Sequence, residues 1–219
     1  MTSISPYLRP FALVLSLAAA LLSQGESAHA QELEEPVYSV VKRFDTCEIR
    51  KYDSYLVAET VVEGAPESAS NRGFKILAGY IFGNNADSKR MKMTVPVTTA
   101  GTSTKMAMTK PVTTKRLKQG LVMQFVMERK YDEKTLPKPL DSRVSIKTVP
   151  ARTIAAHRYS GRVTAQNFEK HRKVLDACVS QVPEVVVTGR PFAAVYDGPW
   201  TLPWNRRNEV LLEVEMRDE

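Results

Sequence analysis

The sequence predicts an α+β fold built from two similar halves, each running strand, strand, helix, strand, strand. The first observation behind this is internal repetition. A shift of 97 residues lays Ile49 on Ile146, Arg50 on Lys147, Val57 on Ile154, Ala58 on Ala155 and Gly64 on Gly161. The second is that each repeat contains one segment with apolar residues at helical spacing, flanked by short strand-like runs. An amphipathic helix covering a four-stranded sheet leaves that sheet in need of a partner, and edge-to-edge pairing of the halves supplies one.

The elements follow in order. Residues 1–30 have the form of a cleaved secretory signal: Arg9 is the positive start, Phe11 to Leu22 is apolar apart from Ser16, and Ala28-His29-Ala30 precedes Gln31. The apolar run is shorter than the roughly 20 residues a membrane span needs, so no stable membrane insertion is expected. No cysteine adjoins the cleavage point, which argues against a lipoprotein. The expected product is secreted, and periplasmic if the source is a Gram-negative bacterium. Residues 31–45 read as a flexible, acidic N-terminal segment, and 46–219 as the folded domain. Ile49–Tyr52 and Tyr55–Val62 read as a strand pair around Asp53-Ser54. A helix over about Pro66–Phe82 carries Ala69, Gly73, Leu77 and Tyr80 or Ile81 on one face and stops at Gly83-Asn84-Asn85. Strands are expected within Lys89–Thr114 and Leu121–Arg129. The second helix, about Thr164–Gln181, carries Phe168, His171, Leu175, Cys178 and Val182 along one stripe, and strands follow at Phe192–Tyr196 and Asn208–Glu215.

The chain of 219 residues, 43% hydrophobic and 25% charged, is long enough to bury an ordinary core. Residues 1–30 hold one Arg and one Glu, so the mature protein keeps the net charge of +7. That balance favours anionic partners: lipid headgroups, polyanions or carboxylate-bearing small molecules. Nucleic acid is not expected, because the basic residues are dispersed and no recognition motif is present. Cys47 and Cys178 read as two small buried hydrophobes, with a single bridge as the alternative.

Three strings carry a resemblance. One cassette occurs twice, Met93-Thr-Val-Pro-Val97 and Met108-Thr-Lys-Pro-Val112, and the third string runs Tyr196-Asp-Gly-Pro-Trp-Thr-Leu-Pro-Trp204-Asn-Arg206-Arg207-Asn208-Glu209-Val210. With Glu48-Ile-Arg-Lys-Tyr52, Gly73–Gly83 and Thr135–Leu140, the chain resembles the SOUL family of haem-binding proteins from about Tyr38 to Glu215. The resemblance implies a distorted antiparallel β-barrel of two ββαββ halves flanked by two helices. It also implies a hydrophobic groove for haem or a related tetrapyrrole, used in transport or buffering; an enzyme is not expected, with a small-molecule hydrolase as the runner-up. In this sequence the groove would be lined by Phe74, Leu77, Ala78 and Ile81 from the first helix and by Trp200, Leu202 and Trp204 from the C-terminal loop. Arg72 and Lys75 are candidates for the propionates, or simply part of a solvated helix face. His171 is either an iron ligand or a core histidine bonded to a carbonyl. The family's axial-ligand position falls at Lys51, and its porphyrin-facing Arg, Met and Lys fall at Asn71, Ala78 and Gly79.

Other readings use the same residues. Met91, Met93, Met106 and Met108 suit core packing, a haem wall or a Cu(I) site. Arg206-Arg207-Asn208-Glu209 suits a partly buried network tying a loop to the barrel. The rival functions are a hydrolase and an apolar effector-binding domain. No nucleophile elbow, metal-binding His pair or phosphate loop appears, which leaves an acid/base pair drawn from Glu48, Glu209 and Tyr52.

Overall fold

The computed structural model describes residues 33–101 and 120–217, with the side chains of Pro66 and Glu67 left out. The signal-like segment 1–30 and the second methionine cassette, with Met106 and Met108, lie outside the described residues. The first half contains β1 (Tyr38–Arg43), β2 (Glu48–Tyr52), β3 (Tyr55–Glu63), α1 (Pro66–Ile81), β4 (Val97–Gly101) and β5 (Gly120–Val126). The second contains β6 (Ser145–Val149), β7 (Arg152–Tyr159), α2 (Ala165–Ser180), β8 (Val185–Val187), β9 (Phe192–Val195) and β10 (Asn208–Met216).

The strands form one antiparallel sheet in the order β1-β2-β7-β10-β9-β4-β5-β3-β6, with β8 paired to β10. It curls into a half-barrel whose edges are β1 and β6. From β2 to β6 the order is a palindrome under the repeat. β2 corresponds to β6, β7 to β3, β10 to β5 and β9 to β4. The registers agree: Tyr55 faces Val149 and Arg152 faces Tyr52, each pair being the image of the other under the 97-residue shift. The two-fold relation passes between β4 and β9, where Val97 faces Val195 and Thr98 faces Ala194. Gly64 and Gly161 turn the chain out of β3 and β7 with positive φ, a conformation that L side chains rarely adopt, so both repeats need glycine there.

One expectation is corrected. β2 and β3 are not a hairpin. They diverge at Asp53-Ser54, β2 pairing with β1 and with β7 of the other half, while β6 crosses to pair with β3. This exchange of outer strands joins the halves at three places instead of one.

α1 lies over β3 and β5, and α2 over β7 and β10. α1 starts with proline in its first turn, where the missing N–H costs nothing. It buries Ala69 and packs Leu77, Tyr80 and Ile81 against Met123, Phe125 and Met127. Gly73 permits the close approach, since a Cβ there would stand 3.3 Å from Met123 Sδ. α2 is capped by Thr164, whose Oγ1 accepts from Asn167 N at 3.1 Å. Its Leu175, Cys178 and Val179 pack on Ile49, Ala155, Val210 and Leu212. Cys47 and Cys178 are joined in a disulfide, Cα to Cα 6.4 Å, where the sequence reading favoured separate thiols. Sequence spacing could not show that the buried face of α2 comes down on the residue just before β2.

Residues 33–45, read as flexible, contain β1 and a strap. Glu34 O accepts from Val95 N, the Glu34 carboxylate pairs with Arg129 at 2.8 Å, and Glu35 pairs with Arg207 at 2.7 Å.

Candidate functional site

Residues directly opposite in paired strands point to the same face of the sheet. Met123 and Phe125 of β5 and Val210 and Leu212 of β10 point toward the helices. So, by register, do Val97 and Thr99 of β4 and Ala193 and Val195 of β9. Those four central residues are only half-buried, whereas Met123, Phe125 and Val210 are buried. The cause is simple: each helix covers its own two strands, so among the described residues no helix lies over β4 and β9.

The sequence-named groove residues divide by helix face. Leu77 and Ile81 are buried and fill the space between α1 and the sheet, so they line no open groove. Phe74 and Ala78, one turn apart, are on a different face. Phe74 is 41% exposed, and its ring stands edge-on 5.4 Å from Phe125, the residue paired with Val97. Arg72 donates through Nη2 to Glu63 O and so ties α1 to the end of β3, while Lys75 is exposed.

Trp200, Leu202 and Trp204 are 85%, 52% and 68% exposed, on the loop between β9 and β10. Arg206 organises that loop by donating to Thr201 O at 2.7 Å and Pro199 O at 2.6 Å, around a 3-10 turn at Pro203–Asn205. Gly161 N donates to Pro203 O at 2.8 Å and Asn208 Nδ2 to Gly161 O at 3.1 Å. The loop is therefore held against the turn preceding α2, while Phe74 belongs to α1 in the other half.

His171 is not solitary. Its ring stacks on Tyr159 at 4.1 Å, and its Nδ1 stands 3.0 Å from Nε2 of His157, whose Nδ1 contacts Thr46 O at 2.5 Å. A carbonyl partner places the His157 proton on Nδ1, so His157 Nε2 accepts from His171. Burial, then the neighbouring His157 and Lys170, lowers the His171 pKa. The pair lies where α2 meets β7, one strand further from the strip over β4 and β9 than β10. Met91 is buried in the first-half core and Met93 is half-buried against it.

On the opposite face of the sheet is a second polar cluster, only part of which was legible in sequence. Glu209 is fully buried, accepting from Arg50 Nη1 at 2.8 Å, Tyr196 OH at 2.7 Å and Arg207 at 3.2 Å. Arg50 also donates to Glu48 at 2.9 Å and stands 3.4 Å from Tyr52 OH. Glu48, Tyr52 and Glu209 thus do come together, around an arginine the sequence reading had not assigned to them. The signal that could have found it is the alternation Glu48, Arg50, Tyr52 on one strand face. Burial alone would raise the Glu209 pKa, but hydrogen bonds and charge from Arg50, with Tyr196 and Arg207, hold it below the usual carboxylate value. Burial pushes Tyr52 up to about 12 against the opposing effect of Arg50, and burial with the Glu209 charge raises Tyr196 well above its ordinary value. Glu209 is ionised and both phenols are protonated at neutral pH, so none of the three is poised for general acid–base exchange.

Residues 33–213 match the SOUL heme-binding protein family. The chain belongs to the SOUL family. Heme-binding protein 2 of Homo sapiens is 28% identical over 192 residues, covering 85% of this chain and 89% of that protein. The SOUL chain also shares its fold with the EcmrR C-terminal domain, at 12% identity and a TM-score of 0.55, covering 82% of this chain and 99% of that one. A hydrolase from Listeria innocua matches at 11% identity and a TM-score of 0.51, covering 80% and 94%. At such identities these two show likeness of fold alone.

Proposed function

We propose that this SOUL-family protein binds haem or a related tetrapyrrole reversibly, as cargo to be transported or buffered, and catalyses no reaction. Family membership across residues 33–213 carries this reading. The strip over β4 and β9 supports it: Val97, Ala193 and Val195 give a largely apolar floor and Phe74 an aromatic wall beside it. Lys75, exposed on α1, is the propionate partner, because Arg72 is already engaged by the end of β3. The histidine pair belongs to the α2–β7 contact, so retention rests on buried apolar area and the propionates, with no histidine on the iron.

Titrating hemin into the disulfide-intact protein is expected to give a saturable, near-stoichiometric Soret shift. His171→Ala should show the same spectrum, and Lys75→Glu should bind more weakly without a change in unfolding midpoint. Absence of a saturable shift removes the assignment.

The Cys47–Cys178 bridge supports an oxidising compartment and hence export. Mass spectrometry of exported protein is expected to find an N-terminus at Gln31; retention of residues 1–30 would contradict export by a cleaved signal.

A further inference from the structure

We propose that the loop between β9 and β10 docks the protein on the surface of an anionic lipid bilayer. The proposal goes beyond haem binding and stands independently of it. Trp200, Leu202 and Trp204 project into water at 85%, 52% and 68% exposure from five consecutive positions. They do so from a built loop. Arg206 bonds two of its carbonyls, the Pro203–Asn205 turn shapes it, and Gly161 N anchors it to the preceding turn of the second half. An ordered loop that holds two indoles and a leucine outward presents an apolar patch of the sort that marks an interaction site.

The surroundings select the partner. The anchoring turn adds Val163, 48% exposed, and Arg162, which is exposed and has no ion pair among the described residues. The stretches 160–168 and 198–206 together contain two arginines and no acidic residue. Asp197, just outside, is engaged by Arg207 N at 2.6 Å. Indoles settle at the headgroup level of a bilayer, where their rings are in an apolar layer and their N–H groups remain hydrated. A nearby arginine without acidic neighbours then meets the lipid phosphates, and the net charge of +7 works in the same direction. The loop rests on the α2 side, so the indoles are directed at solvent and free to enter such a layer.

Both tryptophans of the chain are on this loop, so selectively excited tryptophan fluorescence reports on it alone. Vesicles of phosphatidylcholine with phosphatidylglycerol are expected to shift the emission to the blue and to co-sediment the protein; pure phosphatidylcholine should do so less, and added salt should weaken the effect. The double variant Trp200→Ser, Trp204→Ser should keep its unfolding midpoint and bind the anionic vesicles about tenfold more weakly or worse. Arg162→Glu should lose affinity for anionic vesicles only. Unchanged emission with anionic vesicles, or wild-type sedimentation of the double variant, would overturn the proposal. Emission that responds to hemin and not to vesicles would assign the loop to the tetrapyrrole and overturn it equally.

Discussion

Replacing Glu209 by glutamine is expected to cost about 2–3 kcal/mol of folding stability, measured as a lower denaturant midpoint with an unchanged slope. The substitution preserves shape and removes charge. It leaves buried Arg50 with Glu48 as its remaining carboxylate and half-buried Arg207 with Glu35, both facing a neutral amide where Glu209 held a charge. The loss is limited to the charge-assisted hydrogen bonds of one carboxylate, because Arg50 keeps Glu48 and Arg207 keeps Glu35. The exposed pair Arg143–Asp141 is the control: Arg143→Ala should cost less than about 1 kcal/mol. The same carboxylate makes a pH prediction. Its folded-state pKa lies below its ordinary value of 4.5, so its contribution is complete above that value and is lost as pH falls through the folded value. Wild-type stability should therefore drop on the acid side of pH 4.5, and Glu209→Gln should flatten that limb. A midpoint within error of wild type would mean that the cluster does not stabilise the sheet.

The halves were legible because repetition fixes strand and helix type locally: Val57 and Ile154, or Gly64 and Gly161, sit in matching backbone settings. The strand exchange was not. Asp53-Ser54 reads as a hairpin turn, yet a two-residue connector is equally able to send β2 and β3 apart, and no local signal encodes which distant strand β2 will meet. The same limit hid the disulfide, a contact across 131 residues. Within the candidate site the difficulty was one of angle. Leu77 and Ile81 share the core stripe with Ala69, while Phe74 and Ala78 are rotated away from it, so four apolar residues on one helix did not amount to one groove wall. His171 is half-buried on the side of α2 that meets β7, and its partner His157 comes from a strand whose facing depends on a register that only the assembled sheet defines.

Removing the bridge by Cys47→Ser with Cys178→Ser is expected to lower stability by about 4 kcal/mol, and to expose α2 before α1. The size follows from the loop: a closure spanning 131 residues restricts the unfolded chain strongly. The order follows from unequal packing. α1 buries Leu77, Tyr80 and Ile81 completely, with Gly73 allowing the helix down onto Met123. The buried residues of α2 are Leu175, Cys178 and Val179, and one of the three is the bridge itself. Without it, α2 keeps the core contacts of Leu175 and Val179 and, toward its other end, the partly buried Phe168, the His171–Tyr159 stack and the His171–His157–Thr46 chain. Hydrogen exchange on the serine variant, or on the reduced protein, should therefore lose protection over Ala165–Ser180 while Pro66–Ile81 keeps most of its own. Equal loss in both helices would show that the exchanged strands β2 and β6 couple the halves so tightly that neither helix can open alone.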